Sequence, residues 1–175
     1  MDEIDRRARF ESLYAEHASA VARYAQRRSD AQTAADVVGE VFLVAWRRLE
    51  DLPEDVLPWL LACARRVLWH QQRSERRRSR LLDRLATATP RTVAAHELRN
   101  WGLAEALATL SERDREALLL TAWEGLTVAQ AAQVLGCSAP AFRVRAHRAR
   151  RKLRAALGEQ EGASGIPTTA QVTND

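Results

Sequence analysis

At 175 residues the chain has room for one ordinary domain or two small ones, and its 46% hydrophobic content suffices for packed cores. No apolar run approaches the roughly 20 residues that span a bilayer, and the opening MDEIDRR lacks the apolar stretch of a secretory signal. Membrane insertion is therefore excluded, and a cytoplasmic protein is expected.

The net charge of +4 conceals a strong segregation. Residues 2–57 carry a net −4 and residues 58–84 a net +6. Residues 85–127 carry −2, whereas residues 128–158 hold 7 basic side chains and no acid. Two separated basic blocks suggest two contacts with a polyanion, because clustered cations release counterions from a phosphate backbone. A solvated basic face is the alternative for either block taken alone.

Ala, Leu, Arg and Glu dominate and β-branched runs are short, so the chain reads as all-α. Phe10, Leu13, Tyr14, His17, Val21 and Tyr24 recur at helical spacing and predict a first helix over residues 8–27. Thr33 with Asp36 suits a capping box for a second helix, which carries Val38, Val41, Phe42, Ala45 and Leu49 and ends near Arg48. An acidic loop follows, from Glu50 to Leu57. Pro58 is suited to open a third helix, since its missing N–H is unpaired there anyway. That helix runs through Leu60, Ala64, Val67 and Leu68 into an arginine-rich stretch. Residues 80–97 lose the pattern and read as a flexible linker.

A second helical cluster begins with Leu103, Leu107 and Leu110. Ser111, with Asp114 three residues on, caps the next helix, and Gly125 ends it. Thr127 and Gln130 form a second capping box, opening a helix with Val128, Ala131, Ala132 and Leu135 on one stripe. Gly136 closes that helix where a left-handed backbone is easiest, and Ser138 caps the last one. The last helix places Phe142, Ala146, Ala149 and Leu153 on one face and Arg143, His147, Arg148 and Arg151 on another.

Cap, small-residue stripe, glycine turn and basic helix together describe a helix-turn-helix whose second helix enters the major groove of DNA. Arginine suits guanine O6 and N7 as well as phosphates. An ordinary helical hairpin with a solvated basic face is the competing account. The polar tail over residues 158–175 reads as disordered.

Two stretches carry a family resemblance. From Ser111 on, SERDREALLLTAWEGLTVAQAAQVLGCSAPAFRVRAHRARRKLRAAL resembles region 4 of the extracytoplasmic-function sigma factors. Upstream, FESLYAEHASAVARYA, DVVGEVFLVAWRRL and PWLLACARRVL resemble their region 2. The resemblance implies two small helical domains, over residues 8–79 and 98–157, with no region 3 domain between them. It also implies promoter DNA and core RNA polymerase as partners, the latter through the β′ clamp helices and the β flap. An anti-sigma factor is a further partner that the family implies.

Residue by residue, the resemblance gives Asp36 and Glu40 to the polymerase surface. It gives Arg65, Arg66, Trp69, His70 and Arg73 to −10 DNA, through phosphate contact and aromatic stacking on an unpaired base. Core packing is an equal account of Trp69, and Trp59 reads as core. The loop from Glu50 to Leu57 corresponds to the family's capture site for a flipped base. Arg143, Val144, His147 and Arg148 match the −35 readers, while Thr127, Arg145, Arg150 and Arg151 fall to phosphate anchoring, which positions without specifying. Two positions depart from the common pattern: Gly39 stands where Gln is frequent, and Arg66 where Asn is frequent.

Other function classes find little support. Cys63 and Cys137 have no nearby second thiol or histidine pair, so they read as small core residues, and neither a metal nor a cofactor is expected. There is no phosphate-binding glycine loop and no nucleophile with a matched base, so no enzyme is expected. The main competitor is a helix-turn-helix regulator that never delivers polymerase. Against it stands the acidic Asp36/Glu40 helix beside a basic third helix.

Overall fold

A computed structural model describes residues 2–82 and 101–163, all helix and connecting turn, with no strand among the described residues. Three helices form the N-terminal half: α1 (Glu3–Gln26), α2 (Ala31–Arg47) and α3 (Val56–Leu82). A short 3-10 turn, Leu49–Asp51, precedes α3. Four make the C-terminal half: α4 (Trp101–Ala108), α5 (Glu112–Ala122), α6 (Val128–Leu135) and α7 (Ala139–Ala163). Most of the expected linker, and the tail beyond residue 163, lie outside the described residues.

The helix starts follow local chemistry, with one correction. Helix α2 is capped by Asp30, whose carboxylate accepts from the Thr33 backbone N–H and hydroxyl, each at 3.0 Å. Thr33 is thus the third residue of the helix, and Asp36 accepts instead from Gln32 Nε2 at 3.3 Å. An anionic acceptor one turn earlier satisfies the orphan donors and meets the positive end of the helix dipole, so it outcompetes a threonine hydroxyl. Pro58 is the third residue of α3. That position tolerates proline as well, because the first four N–H groups of a helix have no intrahelical acceptor. Helices also outrun the expected bounds: α1 starts at Glu3, α3 continues to Leu82, and α7 runs to Ala163.

The N-terminal half packs Val21, Tyr24 and Ala25 of α1 against Val37, Val41, Phe42 and Ala45 of α2 and Leu60, Leu61, Ala64 and Leu68 of α3. Phe10 adds edge contacts to Phe42 and Trp46, with ring centroids 6.3 and 5.1 Å apart. This core does not stop at the third helix. Leu120, Leu126, Ala131, Ala132, Val134, Phe142 and Ala146 belong to the same continuous cluster, and α3 packs against α6. A smaller cluster of Leu107, Leu110, Leu118 and Ala149 holds α4 onto α5 and α7. The two halves that sequence separates therefore share a core. Each buried leucine adds about 1.5–3 kcal/mol to it.

Candidate nucleic-acid interface

The C-terminal half builds its helix pair from reciprocal caps. Thr127 Oγ1 accepts from Gln130 N–H at 3.3 Å, while Gln130 Oε1 accepts from Thr127 N–H at 2.9 Å. Gly136 then adopts φ 63°, ψ 41°, and Cys137 N–H reaches back to the Ala132 carbonyl at 3.0 Å. This left-handed turn swings the chain into α7, where Ser138 Oγ accepts from Ala141 N–H at 3.4 Å. The orientation of α7 is set by three buried anchors, Phe142, Ala146 and Ala149.

With those anchors inward, Arg143, Val144, His147, Arg148, Arg150 and Arg151 are exposed, and Arg145 is half-buried. Arg143, Val144, His147, Arg148 and Arg151 border one shallow groove. The structure thus gathers the four expected base readers on one surface. Thr127 remains exposed at the α6 start despite its capping role. One cation of the block turns away: Lys152 Nζ donates to Asp114 Oδ2 at 2.7 Å. That hydrogen bond, first among its causes, holds the Asp114 carboxyl below the usual carboxylate range.

The second basic surface lies on α3. Trp69 is 47% exposed and stands edge-on to His70, ring centroids 5.1 Å apart. The Arg73 guanidinium sits 5.2 Å from the Trp69 ring centre. Arg66 is exposed as well, whereas Arg65 is half-buried. Exposure decides between the two accounts of Trp69: it is a surface ring with cationic neighbours. Trp59 is partly buried against the core. It also lines a cleft of about 290 Å³ with Val44, Arg48, Ala62, Cys63 and Arg66. Burial pushes the Cys63 thiol up, against the pull of Arg66 and Arg48. Both cysteines are half-buried and packed against the core cluster.

On α2, Asp36, Gly39, Glu40 and Leu43 form an exposed strip, with Leu43 49% exposed. Asp36 and Glu40 lie one helical turn apart, as their spacing predicts.

These features coincide with two sequence families. Residues 13–78 match Sigma-70 region 2, and residues 102–153 match Sigma-70, region 4. The chain is 35% identical over 156 residues to the ECF RNA polymerase sigma factor SigL of Mycobacterium tuberculosis, covering 85% of this chain and 88% of that one. It belongs to the extracytoplasmic-function sigma factors of the sigma-70 family.

A second relative, the RNA polymerase sigma factor CarQ of Myxococcus xanthus, is 33% identical and covers 87% of this chain and 91% of its own. Among solved structures, CnrH in complex with the cytosolic domain of CnrY matches at TM-score 0.61 and 29% identity, over 86% of this chain and 88% of that one. The sigma factor RpoE of Bartonella quintana, bound to the anti-sigma factor NepR, shares the fold at TM-score 0.66 and 23% identity, over 85% and 96% of the two chains. The protein is thus an RNA polymerase sigma factor for transcription initiation, with a DNA-binding helix-turn-helix in region 4.

Two features of this sigma factor escape a reading of its sequence. Arg115 donates to the carbonyls of Leu107, Ala108 and Leu110 at 2.9–3.3 Å, closing the end of α4 from the next helix. Arg27 and Arg28 meet Glu116 and Glu124 across about ninety residues of chain. Nothing local marks these arginines. Only the helix C-terminal position of Arg27 and Arg28, and the isolation of Glu124 before a glycine, hint at a role.

Proposed function

We propose that Arg143, Val144, His147 and Arg148 read the −35 element in the major groove, with Thr127, Arg145, Arg150 and Arg151 on flanking phosphates. The observation that carries this reading is the α7 surface, where four readers share one exposed groove above the buried Phe142, Ala146 and Ala149. Arg66, Trp69, His70 and Arg73 contact −10 DNA from α3, with Arg65 supporting them from its half-buried position. Trp69 offers its free face to an unpaired base, a stacking contact of about 1–3 kcal/mol. The acidic loop from Glu50 to Leu57 captures a flipped −10 base, and the cleft lined by Arg48, Trp59 and Arg66, close to it in sequence, supports that reading. Asp36 and Glu40, with Leu43 one turn further along the same exposed strip, face the polymerase clamp.

The two functional units run over residues 8–79 and 98–157. The protein acts in the cytoplasm and breaks no covalent bond itself: polymerase supplies the chemistry, and this chain supplies address and strand separation. RpoE is bound to the anti-sigma factor NepR and CnrH to the cytosolic domain of CnrY, and that likeness supports an anti-sigma partner for this chain.

Run-off transcription with purified core polymerase on a promoter library tests the assignment. Initiation that depends on this protein is expected. DNA binding without core association would instead make it a stand-alone regulator. Arg148→Ala is expected to weaken −35 binding by about 1–3 kcal/mol and to relax base preference. An unchanged preference removes Arg148 from the reading set.

A further inference from the structure

Helix α7 changes character along the face it turns to solvent. Its first turn exposes Pro140 and Ala141, and Val144 follows one turn on, 50% exposed. From there the same stripe continues as Arg148 and Arg151, with Arg143 and His147 beside it. Among the described residues Val144 is the one large aliphatic side chain exposed on α7, and it belongs to neither core cluster. Folding gains little from it. A β-branched side chain loses rotamer freedom in a helix that alanine would not, and here no burial offsets that loss.

The groove around Val144 limits what it can touch. Residues 128–158 hold no acid, so this face offers no carboxylate to the amino group of cytosine or adenine. Its guanidinia suit guanine O6 and N7. Val144 neither donates nor accepts, so a base-edge N–H or carbonyl pressed against it loses water and finds no partner. One base-edge group in the major groove escapes that penalty: the C5-methyl of thymine.

We propose that Val144 packs on a thymine C5-methyl, with Pro140 and Ala141 widening the contact, so that the −35 element carries a thymine beside the guanines taken by Arg143 and Arg148. The inference rests on the proposed major-groove placement of α7 and adds to it the base that an apolar side chain selects. Helix geometry fixes the spacing. Val144 and Arg148 stand one turn apart, about 6 Å of rise against about 3.4 Å per base pair, so thymine and the Arg148 guanine lie within about two base pairs.

Deoxyuridine isolates the methyl, because it pairs as thymine does and lacks only that group. The holoenzyme, this chain with core polymerase, is titrated on a promoter selected by run-off transcription. Each −35 thymine of either strand is replaced by deoxyuridine in turn. One replacement is expected to weaken binding about three- to fivefold, the effect of burying one methyl. Val144→Ala, which withdraws both γ-methyls, should lose about the same factor on the thymine promoter and respond little to the replacement. The two changes together then cost no more than one. The methyl factor should hold as salt rises, whereas the loss from Arg151→Ala should shrink, as for a phosphate contact.

A scan with no weakened position, a −35 element of G·C pairs alone, or a methyl effect undiminished in Val144→Ala overturns the proposal. Arg148→Ala separates that failure from failure of the parent reading. If it still relaxes base preference while the deoxyuridine scan is flat, α7 reads the groove and only the thymine contact falls. If it too changes nothing, the −35 assignment falls with it.

Discussion

The two halves of this sigma factor reach helical order by different routes. In region 4 nearly every helix end is written locally: Ser111 before α5, the Thr127/Gln130 box before α6, Gly136 after it and Ser138 before α7. Its helices α4 and α6 have only eight residues each, too short to persist by propensity, so caps and a shared core hold them. Region 2 relies on long helices and aromatic packing, with Phe10 edge-on to Phe42 and Trp46, and the exposed Tyr14 edge-on to Phe42. Region 4 is thus tuned by single polar atoms, and region 2 by packed volume. A reading helix needs a fixed direction, whereas a docking and strand-opening domain needs a stiff body.

Core truncation is the strongest way to break that contrast. Leu60→Ala in α3 and Phe142→Ala in α7 each empty a fully buried site. Costs of about 2–5 and about 3–5 kcal/mol are expected, read from urea denaturation. Because one core cluster runs through both residues, both substitutions should shift a single unfolding transition. Two separable transitions, with each substitution moving only its own, would show the halves to be energetically independent.

Two glycines sharpen the comparison with smaller effects of opposite sign. Gly136 holds φ +63°, so Gly136→Ala is expected to destabilise by about 1–2 kcal/mol through the left-handed backbone alone. Gly39 sits within α2, and a Cβ there meets nothing within 4 Å. Gly39→Ala should therefore stabilise by about 0.5–1 kcal/mol. Thermal denaturation of both reads the pair. A stabilised Gly39→Ala protein that binds core polymerase less well would mean that this strip needs the missing side chain.

What sequence makes legible follows the same division. The region 4 caps, the glycine turn and the basic face are set by neighbours within four residues, and they appear where spacing predicts. In region 2 the expected Thr33/Asp36 box gives way to Asp30, because two acceptors stand within one turn and the anionic one takes the helix start. Trp69 was undecidable from periodicity, since an aromatic near the edge of a helix stripe fits either surface or core. The Arg27/Arg28 clasp and the Arg115 brace pair residues whose partners depend on how helices stack, so no local pattern announces them.

Removing the Thr127 cap tests the local route directly. Thr127→Ala should cost about 1 kcal/mol, with hydrogen exchange increasing first at the α6 start. Equal exchange along α6 would mean that packing on α3, and not the cap, fixes this helix.

The smallest expected effect lies at the Lys152–Asp114 pair, half-exposed on its lysine side. Lys152→Met should cost about 0.5 kcal/mol or less at neutral pH, as for other exposed pairs. Its pH dependence is more telling than its size. The folded Asp114 carboxyl is held below its unfolded value, so the pair's support is present above the ordinary carboxylate range and fades as pH falls through the lowered folded value. Wild type and Lys152→Met should therefore differ in stability at neutral pH and converge in strong acid. A gap that persists undiminished in acid would trace the loss to the lysine's alkyl packing across α5 and α7 instead of to its charge.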